Sequence, residues 1–160
     1  MIHWNRNLRV HIAADTINSG GVIAYPTESV FGLGCAASNL IAVSQILAIK
    51  ERSYSKGLIL LVSEIEQAEL LIEPLNLSEL KTINQKRPRA TTWLVNKRKG
   101  VSELLSGVHN KLAIRVTQFP IAKQLCDKEH GVLKHIDEVE AIGHRVVHGG
   151  EQITKPAIVT

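Results

Sequence analysis

Two short runs, GVIAY at 21–25 and LILLV at 58–62, hold no charged residue and no alternation of polar with apolar side chains. A strand with one wet face alternates, and a strand buried on both faces does not, so both runs read as buried strands. Between them, SNLIAVSQILAIKE at 38–51 repeats apolar residues at Ile41, Val43, Ile46, Leu47 and Ile49, the spacing of a packed helix. Ahead of the first run, residues 7–18 carry helical spacing through Leu8, Ile12 and Ile17 and stop at Gly20-Gly21. Buried strands alternating with helices define an α/β fold.

The rest of the chain continues this alternation. Ser63 followed by Glu66 reads as a capping box that opens a helix over EIEQAELLI. TTWLVN and KLAIRV are strand-like, and Pro120 stands where a first-turn proline would begin the helix FPIAKQLC. HIDEVEA at 135–141 reads as a short helix, and IGHRVVH as a strand closed by Gly149-Gly150. At 160 residues and 44% apolar content the chain can bury roughly two-thirds of its unfolded surface in one domain.

Several function classes fall away at once. No apolar run reaches the length of about 18 residues that a membrane helix needs, and the N-terminus lacks the pattern of a signal peptide, so a cytoplasmic protein is expected. Cys35 and Cys126 form no Cys-x-x-Cys pair, which argues against a thiolate metal site or a disulfide framework. His144 and His148 are four residues apart, but no third ligand accompanies them, and no bound metal or organic cofactor is expected. Asp137, Glu138 and Glu140 read as a solvated helix face.

Charge is distributed unevenly. Residues 1–126 carry 15 Lys and Arg against 9 Asp and Glu, whereas residues 127–160 carry 4 against 6. KRPRATTWLVNKRK at 86–99 concentrates Lys86, Arg87, Arg89, Lys97, Arg98 and Lys99 around a strand-like core, with no acid among them. Two basic clusters of this kind can follow a phosphate backbone, which makes RNA a candidate partner, with no DNA specificity evident. A solvated strand with basic ends explains the same pattern.

Two loops carry candidate chemistry. AYPTESVFGLG at 24–34 sets Thr27, Glu28 and Ser29 directly after a buried strand, where α/β proteins expose ligand-binding loops; the irregular glycines read as a tight turn. KERSYSKG at 50–57 presents Lys50, Arg52 and Lys56 between a helix end and a strand. Cations are favoured there by the helix dipole alone, and equally suit a phosphate or carboxylate.

In order and spacing, AYPTESVFGLGC, LAIKERSYSKGLILLV, TTWLV and LAIRVTQFPIAKQLC resemble the YrdC-like domain of threonylcarbamoyl-AMP synthases, over most of residues 8–126. The resemblance implies a twisted open mixed α/β sheet with a basic concave face. It further implies an enzyme condensing L-threonine, bicarbonate and ATP, delivered with Mg, into threonylcarbamoyl-AMP for tRNA modification. By motif, Tyr25 and Thr27 would lie by threonine and adenylate. Lys50, Arg52 and Lys56 would hold phosphates or carboxylate, and Arg115 would line the same pocket. Where the family has Trp-Pro-Gly-Pro-x-Thr, this chain has RPRATT, which keeps Pro88 and Thr92 but places Arg87, Arg89 and Ala90 at the other positions.

The family's later Ser-Thr-Ser-Ala-Asn stretch has no counterpart, so the domain reads as incomplete relative to the family. In its place, residues 127–160 resemble a fragment of acetate kinases, with GHRVVHGGE as the specific core and Arg145 matching an arginine of that family's carboxylate site. Acetate kinase activity is not expected from so short a piece. The chain thus reads as chimeric, with a truncated YrdC-like domain over 1–126 and a fragment over 127–160 whose IGHRVV strand would fill the vacated place in the sheet. The expected function is a degenerate or partial synthase-like domain binding ATP, L-threonine or both. The alternatives are a noncatalytic module for RNA or a protein partner, and a chimera without either parent activity.

Overall fold

The computed structural model describes residues 3–28 and 30–127 and the two short strands Ile142–Arg145 and Ala157–Ile158. In chain order the elements are α1 (His3–Asn18), β1 (Ile23–Pro26), β2 (Phe31–Gly34), α2 (Leu40–Ile49), β3 (Ile59–Val62), α3 (Leu77–Ile83), β4 (Trp93–Asn96), α4 (Glu103–Ser106), β5 (Lys111–Val116), α5 (Pro120–Cys126), β6 (Ile142–Arg145) and β7 (Ala157–Ile158). Among the described residues they form one seven-stranded sheet in the order β4-β5-β3-β6-β2-β1-β7. Only β3 and β5 pair in parallel, so the sheet is mixed, as expected.

Both faces of this sheet are covered, which is why its central strands carry no polar alternation. Leu60 and Val62 of β3 pack on one face with Ala42, Val43, Ile46 and Leu47 of α2, together with Leu112 and Ile114 of β5. Leu61, between them, points to the other face, where Ile23 and Tyr25 of β1 meet Val10, Ala13, Ala14 and Ile17 of α1 and Ala122 and Leu125 of α5. α1 therefore docks through Ile17 as expected, whereas Leu8 and Ile12 are exposed and Val10, Ala13 and Ala14 supply the rest of the contact. The Asn39 side chain starts α2 by accepting from the Ile41 and Ala42 amides, and leaves Ile41 and Ile49 on the solvent side. Pro120 begins α5 in the first-turn position that its sequence predicts.

Three local expectations need correction. FGLG is a strand, not a turn: β2 runs antiparallel to β1 with Gly32 opposite Tyr25 and Gly34 opposite Ile23. Glycines disfavour strands in general, but here the Tyr25 ring lies across Gly34, and a Cβ on that residue would come within 2.6 Å of Tyr25 Cε1. The helix expected over 64–72 shrinks to a 3-10 turn at Ile65–Ala68. Its start is organised by Gln67 rather than Glu66: Gln67 Oε1 accepts from the Ser63 amide at 2.7 Å and the Glu64 amide at 3.2 Å. Past the turn, the Ile72–Lys97 bridge draws the chain to β4 and prevents a further helical turn. Finally, α3 and α4 had no clear periodic signal, because they are short and held by their caps, Asn76 and Ser102.

β6 lies between β3 and β2, pairing Ile142 with Leu60, Gly143 with Ile59, His144 with Leu33 and Arg145 with Gly32. IGHRVV was expected to enter the sheet as a strand, and Ile142–Arg145 pairs here. The helix expected at 135–141 and the His148 end of that strand lie outside the described residues.

Candidate functional site

The site forms where the β1–β2 turn, the approach to β4, the end of β5 and the entry to α5 converge. Thr27 shapes the turn, since both its amide (3.1 Å) and its hydroxyl (2.6 Å) donate to the Val30 carbonyl. That closure presents Glu28 toward β5. There Arg115 donates from Nε and Nη2 to Thr92 Oγ1, at 3.1 and 2.9 Å, while its Nη1 lies 3.8 Å from Glu28 Oε2. On the other side, the fully buried Thr117 donates its hydroxyl to Glu28 Oε1 at 2.7 Å and accepts the Phe119 amide at 3.1 Å. Thr92, Arg115, Glu28 and Thr117 thus form one polar chain that ties four segments together.

Glu28 opens onto a cleft of about 1000 Å3 whose lining also includes Trp93, Phe119, Lys86, Arg87 and Arg89. The Arg87 guanidinium carbon stands 5.0 Å from the centre of the Trp93 ring, a cation–π contact that fixes one wall. The cleft therefore offers three cations, Lys86, Arg87 and Arg89, beside three carboxylates, Glu28, Glu64 and Glu66, and two aromatic surfaces for a flat or apolar group.

The expected site residues do not all meet here. Arg115 does, through Glu28. Tyr25 lies beneath the site, fully buried, and its hydroxyl has no hydrogen-bond partner among the described residues. Burial, and then the neighbouring Cys126 and Glu28, hold its ionisation well above the ordinary tyrosine range, against the opposing pull of Arg115. Thr27 acts through the turn it closes. Lys50, Arg52 and Lys56 are absent from the cleft lining and cluster on the segment that follows α2.

That second segment is firmly built. Lys50 caps α2, Glu51 takes the left-handed conformation at φ 46°, and the Arg52 amide returns to the Leu47 carbonyl at 2.9 Å. Arg52 Nε donates to the Gly57 carbonyl at 3.1 Å, leaving Lys56 exposed. Desolvation, and then the adjacent Arg52 charge, lower the Lys50 pKa, as expected for a cation crowded against another. Of the basic stretch 86–99, Lys86, Arg87 and Arg89 rim the cleft. Lys97 and Arg98 lie at the other end of β4 and are committed to Ser106 Oγ and the Ile72 carbonyl, each at 2.7 Å; Lys99 follows them.

Glu28, Thr92 and Thr117 were not assigned a role by sequence. Glu28 stood inside the AYPTES loop and Thr92 kept the family's threonine, so both carried a signal; Thr117 carried none.

A covered, mixed α/β sheet with a cleft of mixed charge at its edge defines a class of ligand-binding domain, and comparison with known proteins narrows it. The chain belongs to the Sua5/YciO/YrdC family, whose model, described as telomere recombination, matches residues 15–135. It is 41% identical over 123 residues to a threonylcarbamoyl-AMP synthase of Methylococcus capsulatus, covering 77% of this chain and 66% of that protein. With the threonylcarbamoyl-AMP synthase of Coxiella burnetii it shares 44% over 124 residues, covering 78% and 67%. The chain thus spans about two-thirds of the length of these relatives. Among solved structures, Sua5 of P. abyssi complexed with L-threonine superposes with a TM-score of 0.72 at 26% identity, over 86% of this chain and 38% of that one. E. coli YciO shares the fold, with a TM-score of 0.66 at 21% identity, over 86% and 63%.

Proposed function

We propose that this domain binds L-threonine and Mg-ATP as a threonylcarbamoyl-AMP synthase-type module serving tRNA modification. The observation that carries the reading is the Thr92–Arg115–Glu28–Thr117 chain beneath a rim of Lys86, Arg87 and Arg89. An adenylating site needs cations where negative charge accumulates on the departing pyrophosphate, and a fixed polar floor to hold the acceptor. The relatives named as synthases, and the L-threonine held by P. abyssi Sua5, support the same reading. Lys50 and Arg52, crowded together after α2, would add charge for phosphate or carboxylate. Magnesium would enter on the nucleotide, as part of the substrate.

Whether the complete condensation runs in this chain is the finer part of the proposal. The acetate kinase-like reading of 127–160 adds no activity to it, because so short a piece carries none of that family's phosphate loops or second domain. An RNA track over 86–99 is not favoured, since Lys97 and Arg98 already serve the fold.

Calorimetric titration of the purified chain with L-threonine, with and without Mg-ATP, tests the proposal, followed by an assay for pyrophosphate release. Binding of both ligands with release supports a working synthase. Binding without release supports a partial one, and no binding of either ligand refutes the reading.

A further inference from the structure

We infer that Gly107, braced from the end of β4 by Lys97, is a positioning residue for Arg52: the turn that closes α4 holds in place the carbonyl that aims the Arg52 guanidinium at an anionic ligand. The inference rests on the proposed function, in which Arg52 takes a phosphate or a carboxylate.

Arg52 has a single anchor. Its Nε donates to the Gly57 carbonyl at 3.1 Å, and its two Nη groups make no hydrogen bond or ion pair among the described residues. A guanidinium held through Nε keeps its terminal fork of two Nη groups for a carboxylate or phosphate. Where that fork stands is set by the Gly57 carbonyl.

Gly57 is in turn locked from outside its own segment. It ends the 3-10 turn Tyr54–Lys56 at φ 62° and ψ −177°, and Gly107 ends α4 at φ 64° and ψ −150°. Both conformations lie in a region that is essentially closed to residues with a side chain. The two turns also cross at backbone contact. A Cβ on Gly107 would overlap the Ser55 carbonyl oxygen and lie 2.6 Å from the Gly57 nitrogen, and a Cβ on Gly57 would lie 2.7 Å from the Ser106 carbonyl. Around the crossing, the Leu58 amide donates to the Leu105 carbonyl at 2.8 Å and the Val108 amide to the Ser55 carbonyl at 3.2 Å. A side chain at Gly107 would therefore force the backbones apart and carry the Gly57 carbonyl away from Arg52 Nε.

With only four residues, α4 is too short to hold its own place. Lys97 fixes it by donating from Nζ to Ser106 Oγ at 2.7 Å, and the buried Ser106 hydroxyl donates onward to the Gly107 carbonyl at 3.0 Å. Contact thus runs from Lys97 through Ser106, Gly107 and Gly57 to Arg52, which links the end of β4 to the basic segment after α2.

Calorimetry with Mg-ATP and with L-threonine tests this on Arg52→Ala, Gly107→Ala, Lys97→Met and the two double variants that carry Arg52→Ala, with urea unfolding of each. Arg52→Ala is expected to weaken at least one ligand by about tenfold, the worth of a hydrogen bond to a charged group. Gly107→Ala is expected to weaken that same ligand by about fivefold and Lys97→Met by about threefold, but by less than about 1.5-fold where Arg52 is already absent, while the lowered urea midpoints persist in the doubles. Lys97→Arg, which keeps a donor, is expected to stay within about twofold of the wild type. Losses that multiply in the doubles would show that the turn merely supports the fold, and would overturn the inference. Wild-type affinity in Lys97→Met and Gly107→Ala would overturn it as well, and if Gly107→Ala does not fold, the Lys97→Met cycle decides alone. A wild type that binds both ligands and is unaffected by Arg52→Ala would overturn the inference while leaving the proposed function standing, whereas a wild type that binds neither would refute that function itself.

Discussion

Gln67 and Cys126, 59 residues apart in sequence, are joined by a hydrogen bond from the Gln67 side-chain amide to the Cys126 carbonyl. The other end of the same amide accepts from the Ser63 and Glu64 backbone, so one buried side chain joins the exit of β3 to the end of α5. Gln67→Leu keeps the volume but leaves buried N–H and C=O groups unmatched. It is expected to destabilise the domain by about 2–3 kcal/mol, read as a lower urea midpoint with an unchanged slope. A loss below about 0.5 kcal/mol, within the range of ordinary surface changes, would mean that water replaces the amide.

Glu51 occupies the left-handed position at the end of α2, where helices usually place glycine. Its φ of 46° is a strain that Glu51→Gly relieves. The variant is expected to gain about 0.5–1 kcal/mol of stability, measured by denaturant unfolding, with L-threonine binding unchanged. A destabilised variant would show that the Glu51 side chain makes contacts worth more than the strain.

Cys35 is fully buried, and burial pushes its thiol up to about 12 from the usual 9.0. The folded chain therefore keeps a proton that the unfolded chain releases. The resulting stability is complete below pH 9 and is lost as the pH rises toward 12, and the buried Tyr25 hydroxyl acts in the same direction. Unfolding midpoints are expected to fall from pH 9 to 11, and to fall less in Cys35→Ala. Equal slopes in the two proteins would exclude the thiol as a contributor.

The alternation of buried strands and helices was legible because β1 and β3 leave none of their apolar residues exposed, and because α2 buries Ala42, Val43, Ile46 and Leu47 at helical spacing along one face. β2 was hidden because its glycines answer to the Tyr25 ring across the sheet, a partner that local pattern does not reveal. The site divides in the same way. Thr27, Lys50, Arg52 and Arg115 stood in recognisable motifs, yet Thr117 became visible only when folding brought it 2.7 Å from Glu28 across 89 residues. Spacing also grouped Lys97 and Arg98 with Arg87, although β4 carries them to opposite ends and to different tasks.

Arg87 and Arg98 separate those tasks. Arg87 lines the cleft against Trp93, so Arg87→Ala is expected to weaken Mg-ATP by about three- to tenfold at low salt with little change in melting temperature. Arg98→Ala removes a hydrogen bond to the Ile72 carbonyl and is expected to cost about 1 kcal/mol of stability while leaving Mg-ATP affinity unchanged. The reverse pattern would move the anion site to the far end of β4.

β6 decides whether the sheet is one unit. β3 and β2 do not pair with each other, and β6 lies between them, bonded to both. Without it, β4-β5-β3 and β2-β1 would be joined only through the packed cores on either face, with open strand edges between them that invite association with other chains. Amides in Ile142–Arg145 that bond to β2 or β3 are therefore expected to exchange with deuterium on the timescale of Ile59–Val62, within about tenfold. A chain ending at Asp127 is expected to lose its single cooperative unfolding transition and to self-associate. Rapid exchange across Ile142–Arg145, with slow exchange in β3 and a truncated chain that still melts cooperatively, would show that the first 127 residues hold the domain together unaided.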